Sequence, residues 1–454
     1  MANHQHPNIV VCLCDQLRAF EVGCYGNSVV RTPSIDRLAR NGVQFQTACS
    51  NNPVCTPGRS ILISGQYSRT CVGTLTNCDH PRAPRSKFPV PTLADALKPA
   101  GYHTGAVGKW HIALKPETLG FDYALYPHYS HRYTGQTFYG TDEPERVIEG
   151  FSYEYEIEAL NRYVRDHREE PFFLFYNISQ PHMPHDDAPE RYKTMYSRDV
   201  VPLRSNVWQD GKLSYNENWF RIYLWDFLYY QHHLPYTDKP LDGFDLRDLT
   251  ALYYGLTTWT DDQVGELMRA LEANGLVDDT IVVFTSDHGD NLGSHHFFNK
   301  ERLYEESIRI PLIFHWPEGL RPRREDRQIA SLVDVAPTLL SAAGLGIPDG
   351  MQGLDLSPVM KGEADTVGEN VAFIETVRGE IGIRTQTHLY GIQKERDGHA
   401  RTLGITDPDY AFFDVVNDPY EFHNLAKTGR DKPIADELRE RLIRWDAETP
   451  WLEV

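Results

Sequence analysis

A chain of 454 residues is long enough for a large buried core and for more than one folding unit. Hydrophobic residues make up 41% and charged residues 24%, an ordinary globular balance that excludes a disordered or fibrous chain. The 45 basic and 64 acidic residues leave a net charge of −19, which repels nucleic acid and anionic membranes, so neither is expected as a partner.

In chain order, the segment Met1–Pro7 is short and polar, and the apolar run Ile9–Leu13 is too brief for a signal peptide or a spanning helix. A cytoplasmic location is therefore the default expectation. Seven cysteines (Cys12, Cys14, Cys24, Cys49, Cys55, Cys71, Cys78) lie early in the chain without zinc-ligand spacing or a secreted disulfide pattern. Most read as reduced core thiols.

Four apolar runs, Ile9–Cys14, Phe172–Tyr176, Thr280–Thr285 and Ile310–Trp316, are predicted to be buried parallel strands. Between them one helix is predicted to start with Thr32 as N-cap and Pro33 as its first residue, and to stop at Asn41-Gly42. Another is predicted to open at Thr260, with Gln263 in capping-box spacing, and to end at Asn274-Gly275. Strands alternating with helices imply a layered α/β fold.

A helix-like segment from Ser331 to Gly344 leads into glycine- and proline-punctuated chain as far as Lys361-Gly362, which divides the sequence into units 1–362 and 363–454. The second unit offers strands at Val371–Glu375, Ile381–Arg384 and Tyr410–Val416 and an amphipathic helix at Pro433–Trp445. Aromatic residues gather at Phe121–Tyr139 and at Trp208–Tyr236, the latter holding Trp219, Phe220, Tyr223, Trp225, Phe227, Tyr229 and Tyr230. Core packing explains most of them. Lining the pocket for an alcohol, and forming a homo-oligomer face, are the other uses left open.

In open α/β sheets, ligands bind beyond the carboxyl ends of the strands. Asp15-Gln16 follows the first predicted strand, and Ser286-Asp287-His288-Gly289-Asp290 follows the third. Two carboxylates, an imidazole and the Gln16 amide oxygen suit one divalent cation, calcium first, with manganese left open by the histidine. The alternative is that Asp15 and Asp287 merely cap the helices after their strands.

The most specific stretch is Cys55-Thr56-Pro57-Gly58-Arg59, followed by Ser60-Ile61-Leu62-Ile63-Ser64-Gly65. It resembles the sulfatase signature, in which Cys-x-Pro-x-Arg directs oxidation of the cysteine to formylglycine. Further segments resemble the same family: Gly108-Lys109-Trp110-His111, Gln180-Pro181-His182-Met183-Pro184, Thr285–Asp290, Lys300 with Tyr304-Glu305-Glu306-Ser307, and Asp418-Pro419-Tyr420-Glu421 with Asn424-Leu425. The fold this implies is that of the alkaline phosphatase superfamily: a three-layer α/β sandwich on a large mixed sheet, with a smaller C-terminal α+β unit built from an antiparallel sheet and a terminal helix.

The resemblance implies a metal-dependent hydrolase of small-molecule sulfate monoesters, whether aryl, sugar or small alkyl, matured by a formylglycine-generating or other sulfatase-maturing enzyme. The metal would be held by Asp15, Gln16, modified Cys55, Asp287 and His288. One hydroxyl of the hydrated aldehyde at position 55 would attack sulfur, and the other would release sulfate. Lys109 and Lys300 would stabilise the developing charge, and Arg59 would support modified Cys55 and the metal's carboxylates. His182 would serve the leaving group and His111 modified Cys55. His295 and His296 have no motif support and are read as structural.

Asp15-Gln16, where many sulfatases carry two aspartates, and His288, where some have asparagine, are similar to phosphonate monoester hydrolases and choline sulfatases. A phosphonate monoester or phosphodiester hydrolase with the same machinery is therefore the closest alternative. A non-catalytic anion binder with an unmodified Cys55 is the other.

Overall fold

Strand β1 (Asn8–Asp15) is buried along its whole length, and its side chains alternate between two cores. Ile9, Val11 and Leu13 enter one cluster and Val10, Cys12 and Cys14 the other. Such a strand must lie in the middle of a sheet covered on both faces. It does so in the computed structural model, which describes residues 6–78, 86–128, 131–141, 144–221, 243–398 and 400–453.

The remaining strands are β2 (Val43–Cys49), β3 (His103–Gly108), β4 (Tyr123–Pro127), β5 (Thr134–Gly140), β6 (Arg146–Phe151), β7 (Phe172–Pro181), the two-residue pair β8 (Trp208–Gln209) and β9 (Lys212–Leu213), β10 (Thr280–Ser286), β11 (Arg309–His315), β12 (Arg323–Ser331), β13 (Ala372–Glu375), β14 (Glu380–Arg384), β15 (His388–Arg396) and β16 (Thr402–Asp414). Ten of them form one mixed sheet in the order β12-β2-β11-β10-β1-β7-β3-β4-β5-β6. Strands β10, β1, β7, β3 and β4 run parallel as a block.

Helices α1 (Pro33–Arg40), α2 (Cys55–Ser64), α3 (Ser152–Asp166), α4 (Leu246–Ala273), α5 (Val335–Ala342) and α6 (Lys432–Glu448) complete the layers. Apolar residues of α1, α3 and α4 join the core on one face of the sheet, and those of α2, α5 and α6 the core on the other. Strands β13 to β16 make a four-stranded antiparallel sheet in sequence order. Its Ile381, Ile383, Ile392 and Phe412 share a core with Leu438, Leu442 and Trp445 of α6. The result is the three-layer α/β sandwich with a smaller antiparallel sheet and terminal helix that the resemblance implies. No helix among the described residues is long and apolar enough to cross a membrane.

Three local expectations are corrected. The run Ile310–Trp316 does form a strand, β11, but it lies antiparallel to both β10 and β2, because a strand buried on two faces reads as the same apolar run in either direction. Thr32 does not cap α1 with its side chain, which instead accepts from Gly23 N and bonds Asp36. The Ser34 and Ile35 amides are satisfied by the Asp261 carboxylate of α4. Helix α4 begins at the Asp245/Asp248 capping box, well before Thr260, whose hydroxyl bonds Leu256 O inside the helix. Of the second aromatic group, Tyr223, Trp225, Phe227, Tyr229, Tyr230 and Tyr236 lie outside the described residues; Phe220 packs in the core with Phe298, and Trp219 is exposed.

Candidate active site

Because β1, β10, β7 and β3 are parallel, their carboxyl ends open on one side, and the polar residues after them meet there. Asp15 ends β1, and the pairing of Cys14 with Ser286 sets Asp287 beside it. Gln16 turns the chain with φ of 68° and donates its backbone N–H to Asp287 Oδ1. Gly108 ends β3 with φ of 88°, and a Cβ there would meet Asn177 O at 2.0 Å. Only glycine allows β3 to press so close to β7 and deliver Lys109 into the site. Gly108→Ala is expected to cost more than the roughly 1–3 kcal/mol of backbone strain alone, read by denaturant unfolding.

Helix α2 approaches from above these strand ends. Val54 precedes it in extended conformation, Cys55 is its first residue, Pro57 is tolerated in its first turn, and Gly65 closes it in the left-handed region. All ten residues are buried. Its glycine lets the helix lie against the β10 end, since a Cβ on Gly58 would stand 2.8 Å from Asp287 O.

Arg59 binds the strand ends together from within. Its Nη2 donates to Asp15 Oδ2 and its Nε to Asp287 Oδ2, each at 3.0 Å, while Nη1 donates to Lys109 O at 2.8 Å and Asn177 Oδ1 at 2.9 Å. Arginine, both aspartates and Asn177 are fully buried. A planar fork that bonds four acceptors on four different strand ends fixes their relative positions.

The Cys55 thiol lies between two ammonium groups. Lys300 Nζ is 3.2 Å from Sγ and Lys109 Nζ 3.9 Å, and His288 Nε2 is 3.3 Å away. Burial alone would raise the thiol, but Lys109, Lys300 and His288 pull it well below the usual range. Lys109 also pairs with Asp15 Oδ2 at 2.6 Å, and Lys300 donates to Gln16 Oε1 at 3.1 Å and His182 Nε2 at 3.0 Å. Burial, with Lys300 and Lys109 nearby, pushes His182 down to about 3, so its ring is neutral. Its Nδ1 donates to Met183 O, which turns Nε2 toward Lys300.

Asp15, Cys55, Asp287 and His288 each offer a donor atom within 4.8 Å of the others. His288 Nδ1 donates to Gly289 O, leaving the Nε2 lone pair facing the carboxylates. Asp287 is pushed up to about 7 by burial and by Asp15 opposite it. A divalent cation between the two would relieve that repulsion, so the donor set fits one. Gln16 sits at the edge of this set, its Nε2 donating to Asp290 Oδ2 at 2.7 Å.

The structure thus gathers Asp15, Gln16, Cys55, Arg59, Lys109, His182, Asp287, His288 and Lys300 at one point. His111 joins them: its ring hydrogen-bonds the Cys55 thiol, the backbone there has φ of 46°, and its buried Nδ1 has no hydrogen-bond partner. Three participants were missed in the sequence. His131 bonds Lys109 Nζ at 3.1 Å and stacks on His182 with centroids 4.2 Å apart; Asn177 holds Arg59; Asp290 holds Gln16. For Asn177 and Asp290 a signal existed, since each follows or ends a predicted strand. His131 had none.

The family profile described as Sulfatase matches residues 7–345, and one described as N-sulphoglucosamine sulphohydrolase, C-terminal, matches residues 293–448. An ulvan-active sulfatase of Formosa agariphila is 32% identical, over 97% of this chain and 81% of its own. An N-acetylglucosamine-6-O-sulfatase of Bacteroides thetaiotaomicron is 26% identical over 93% and 83%. The fold is shared with a structure determined in complex with its substrate D-glucosamine-2-N,6-O-disulfate, at TM-score 0.79, 24% identity and coverage of 97% and 98%. It is also shared with the phosphonate monoester hydrolase of Agrobacterium radiobacter, at TM-score 0.72, 21% identity and coverage of 98% and 96%.

Proposed function

The chain belongs to the sulfatase family and is a sulfate-ester hydrolase, and from that premise we propose that it cleaves sulfated sugars using an aldehyde made from Cys55 and one divalent cation. The observation that carries this reading is the buried Cys55 Sγ, set between Lys109 and Lys300 beside two carboxylates and an imidazole. Sγ stands for the oxygens that the oxidised side chain would carry. When formed and bound, the hydrated aldehyde supplies the attacking and the resetting hydroxyl, and the cation, calcium first and manganese next, acidifies the former. Asp15, Asp287, His288 and Gln16 would hold the cation. A sulfatase-maturing enzyme is the partner this requires.

The chain's own groups do the rest. Lys109 and Lys300 converge on position 55, where they offset the charge that builds on the sulfate oxygens in a dry site. Arg59 aligns the two carboxylates and favours their ionised forms against the burial and mutual repulsion that raise Asp287. The neutral His182 accepts from Lys300 at Nε2, and this pair holds the proton delivered to the leaving alcohol. His182→Ala should therefore lower kcat roughly 10²- to 10⁴-fold for a sugar sulfate but much less for nitrophenyl sulfate, whose leaving group needs no proton. An equal loss on both substrates would remove His182 from that role.

The sugar is proposed because the relatives named above act, by their names, on ulvan and on N-acetylglucosamine sulfate. The deciding experiment compares kcat/KM for nitrophenyl sulfate and a nitrophenyl phosphonate monoester, on protein whose Cys55 peptide has the formylglycine mass. Sulfate preference supports the reading; phosphonate preference keeps the machinery and replaces the substrate.

A further inference from the structure

Lys300 rides on a loop whose backbone is unusual: Leu292, His295, His296, Asn299 and Glu301 all have positive φ, from 41° to 79°. Non-glycine residues keep that conformation only where surrounding contacts enforce it. Among the described residues a second group of donor atoms lies at this loop, outside the set around Cys55. One atom each from His295, Glu306 and Glu421 falls within 4.8 Å of the others.

The two carboxylates are almost fully buried, 0% and 3% exposed. One oxygen of each is satisfied. Glu306 Oε1 accepts from Arg204 Nε at 2.6 Å and Asn206 Nδ2 at 2.8 Å, and Glu421 Oε2 accepts from Glu305 N at 2.9 Å. The other oxygens, Glu306 Oε2 and Glu421 Oε1, are buried without a hydrogen-bond partner, as is Asn206 Oδ1. Glu306 Oε2 faces His295 Nε2 at 3.8 Å. Orphaned oxygens on two neighbouring buried carboxylates are costly unless a proton or a cation sits between them. Arg204 does not fill that need, because it already serves Oε1.

His295 is set as a ligand would be. Its ring stacks on Tyr304, with centroids 3.9 Å apart and planes 9° apart, which fixes its direction. Its side chain is 14% exposed, so an ion in solvent has a way in. Nε2 is met by Asn206 Nδ2 at 3.1 Å, a contact through the same lone pair a cation would take. We propose that His295, Glu306 and Glu421 form a second divalent-cation site, which fastens the Lys300 loop to the chain beyond the antiparallel sheet. One imidazole and two carboxylates suit a borderline cation, Zn²⁺ before Ca²⁺.

The test is independent of sulfate chemistry and of Cys55 oxidation. The full chain is stripped with chelator, and Zn²⁺ uptake is titrated calorimetrically for wild type, His295→Ala and Glu421→Gln. Each variant is expected to bind one equivalent fewer, or to bind it more weakly than the roughly 10- to 100-fold loss seen when only an outer partner of a ligand is removed. Equal uptake by all three overturns the proposal and leaves a proton shared between the carboxyl groups. Should a variant not fold, the wild type decides alone: Zn²⁺ must slow amide exchange across residues 418–424, the segment that carries Glu421 and supplies nothing to the Cys55 set, and unchanged exchange there overturns the proposal.

Discussion

Cys55→Ala is expected to lower kcat/KM for a sulfate ester by on the order of 10⁶-fold, the scale on which a lone nucleophile is lost, while the unfolding midpoint barely moves. The stability half of this follows from the contacts. With the thiol gone, Lys109 still pairs with Asp15, and the Lys300 ammonium keeps its hydrogen bonds to Gln16 and His182 with Asp15 and Asp287 still close by, so each buried cation retains partners. Steady-state kinetics together with urea unfolding reads both halves. Turnover like that of the wild type would eliminate position 55 as the nucleophile.

Arg59→Ala should behave in the opposite way and damage the fold itself. Its guanidinium is the shared partner of Asp15 and Asp287, and without it two carboxylates face each other in a site from which water is excluded. Removing one side of a buried ion pair costs about 3–5 kcal/mol, and the Lys109 and Asn177 oxygens lose a donor as well. Arg59→Lys restores the charge but not the fork, so most of the loss should persist. Denaturant midpoints at neutral pH check this; a loss below about 1 kcal/mol would show that Lys109 alone neutralises the pair.

The parts of this protein that were legible from sequence share a physical cause. Strands β1 and β10 are buried on both faces, so their middles are apolar and their ends are sharp, whereas β7 was legible only as far as Tyr176, because its last residues, Asn177–Pro181, are buried but largely polar. The chemistry was readable because it follows those ends directly, at Asp15 and Asp287. Strand β11 kept its place but not its direction, since direction is set by the connection from β10 and not by side chains. Strand β15 was missed because its second half, Gln393–Arg396, is polar. The start of α4 was misplaced because Thr260 and Gln263 mimic a cap while sitting deep inside a buried helix. His131 was invisible for a different reason: it reaches Lys109 and His182 only through tertiary packing. The grouping of His295 with Glu306 and Glu421 was not legible, because the three come from separate stretches of chain.

The placement of β1 between β10 and β7 sets a clock on biosynthesis. The strand that carries Asp15 is made first, yet its neighbour β10 and the Lys300 that closes over Cys55 emerge only after more than half of the chain has followed. At about 5–20 residues per second, that leaves on the order of tens of seconds during which residue 55 is still accessible. Once β10 docks, the residue is sealed at 0% exposure. On the proposed reading, an enzyme oxidising Cys55 would therefore have to reach the nascent or unfolded chain, since a late arrival would meet a side chain already buried.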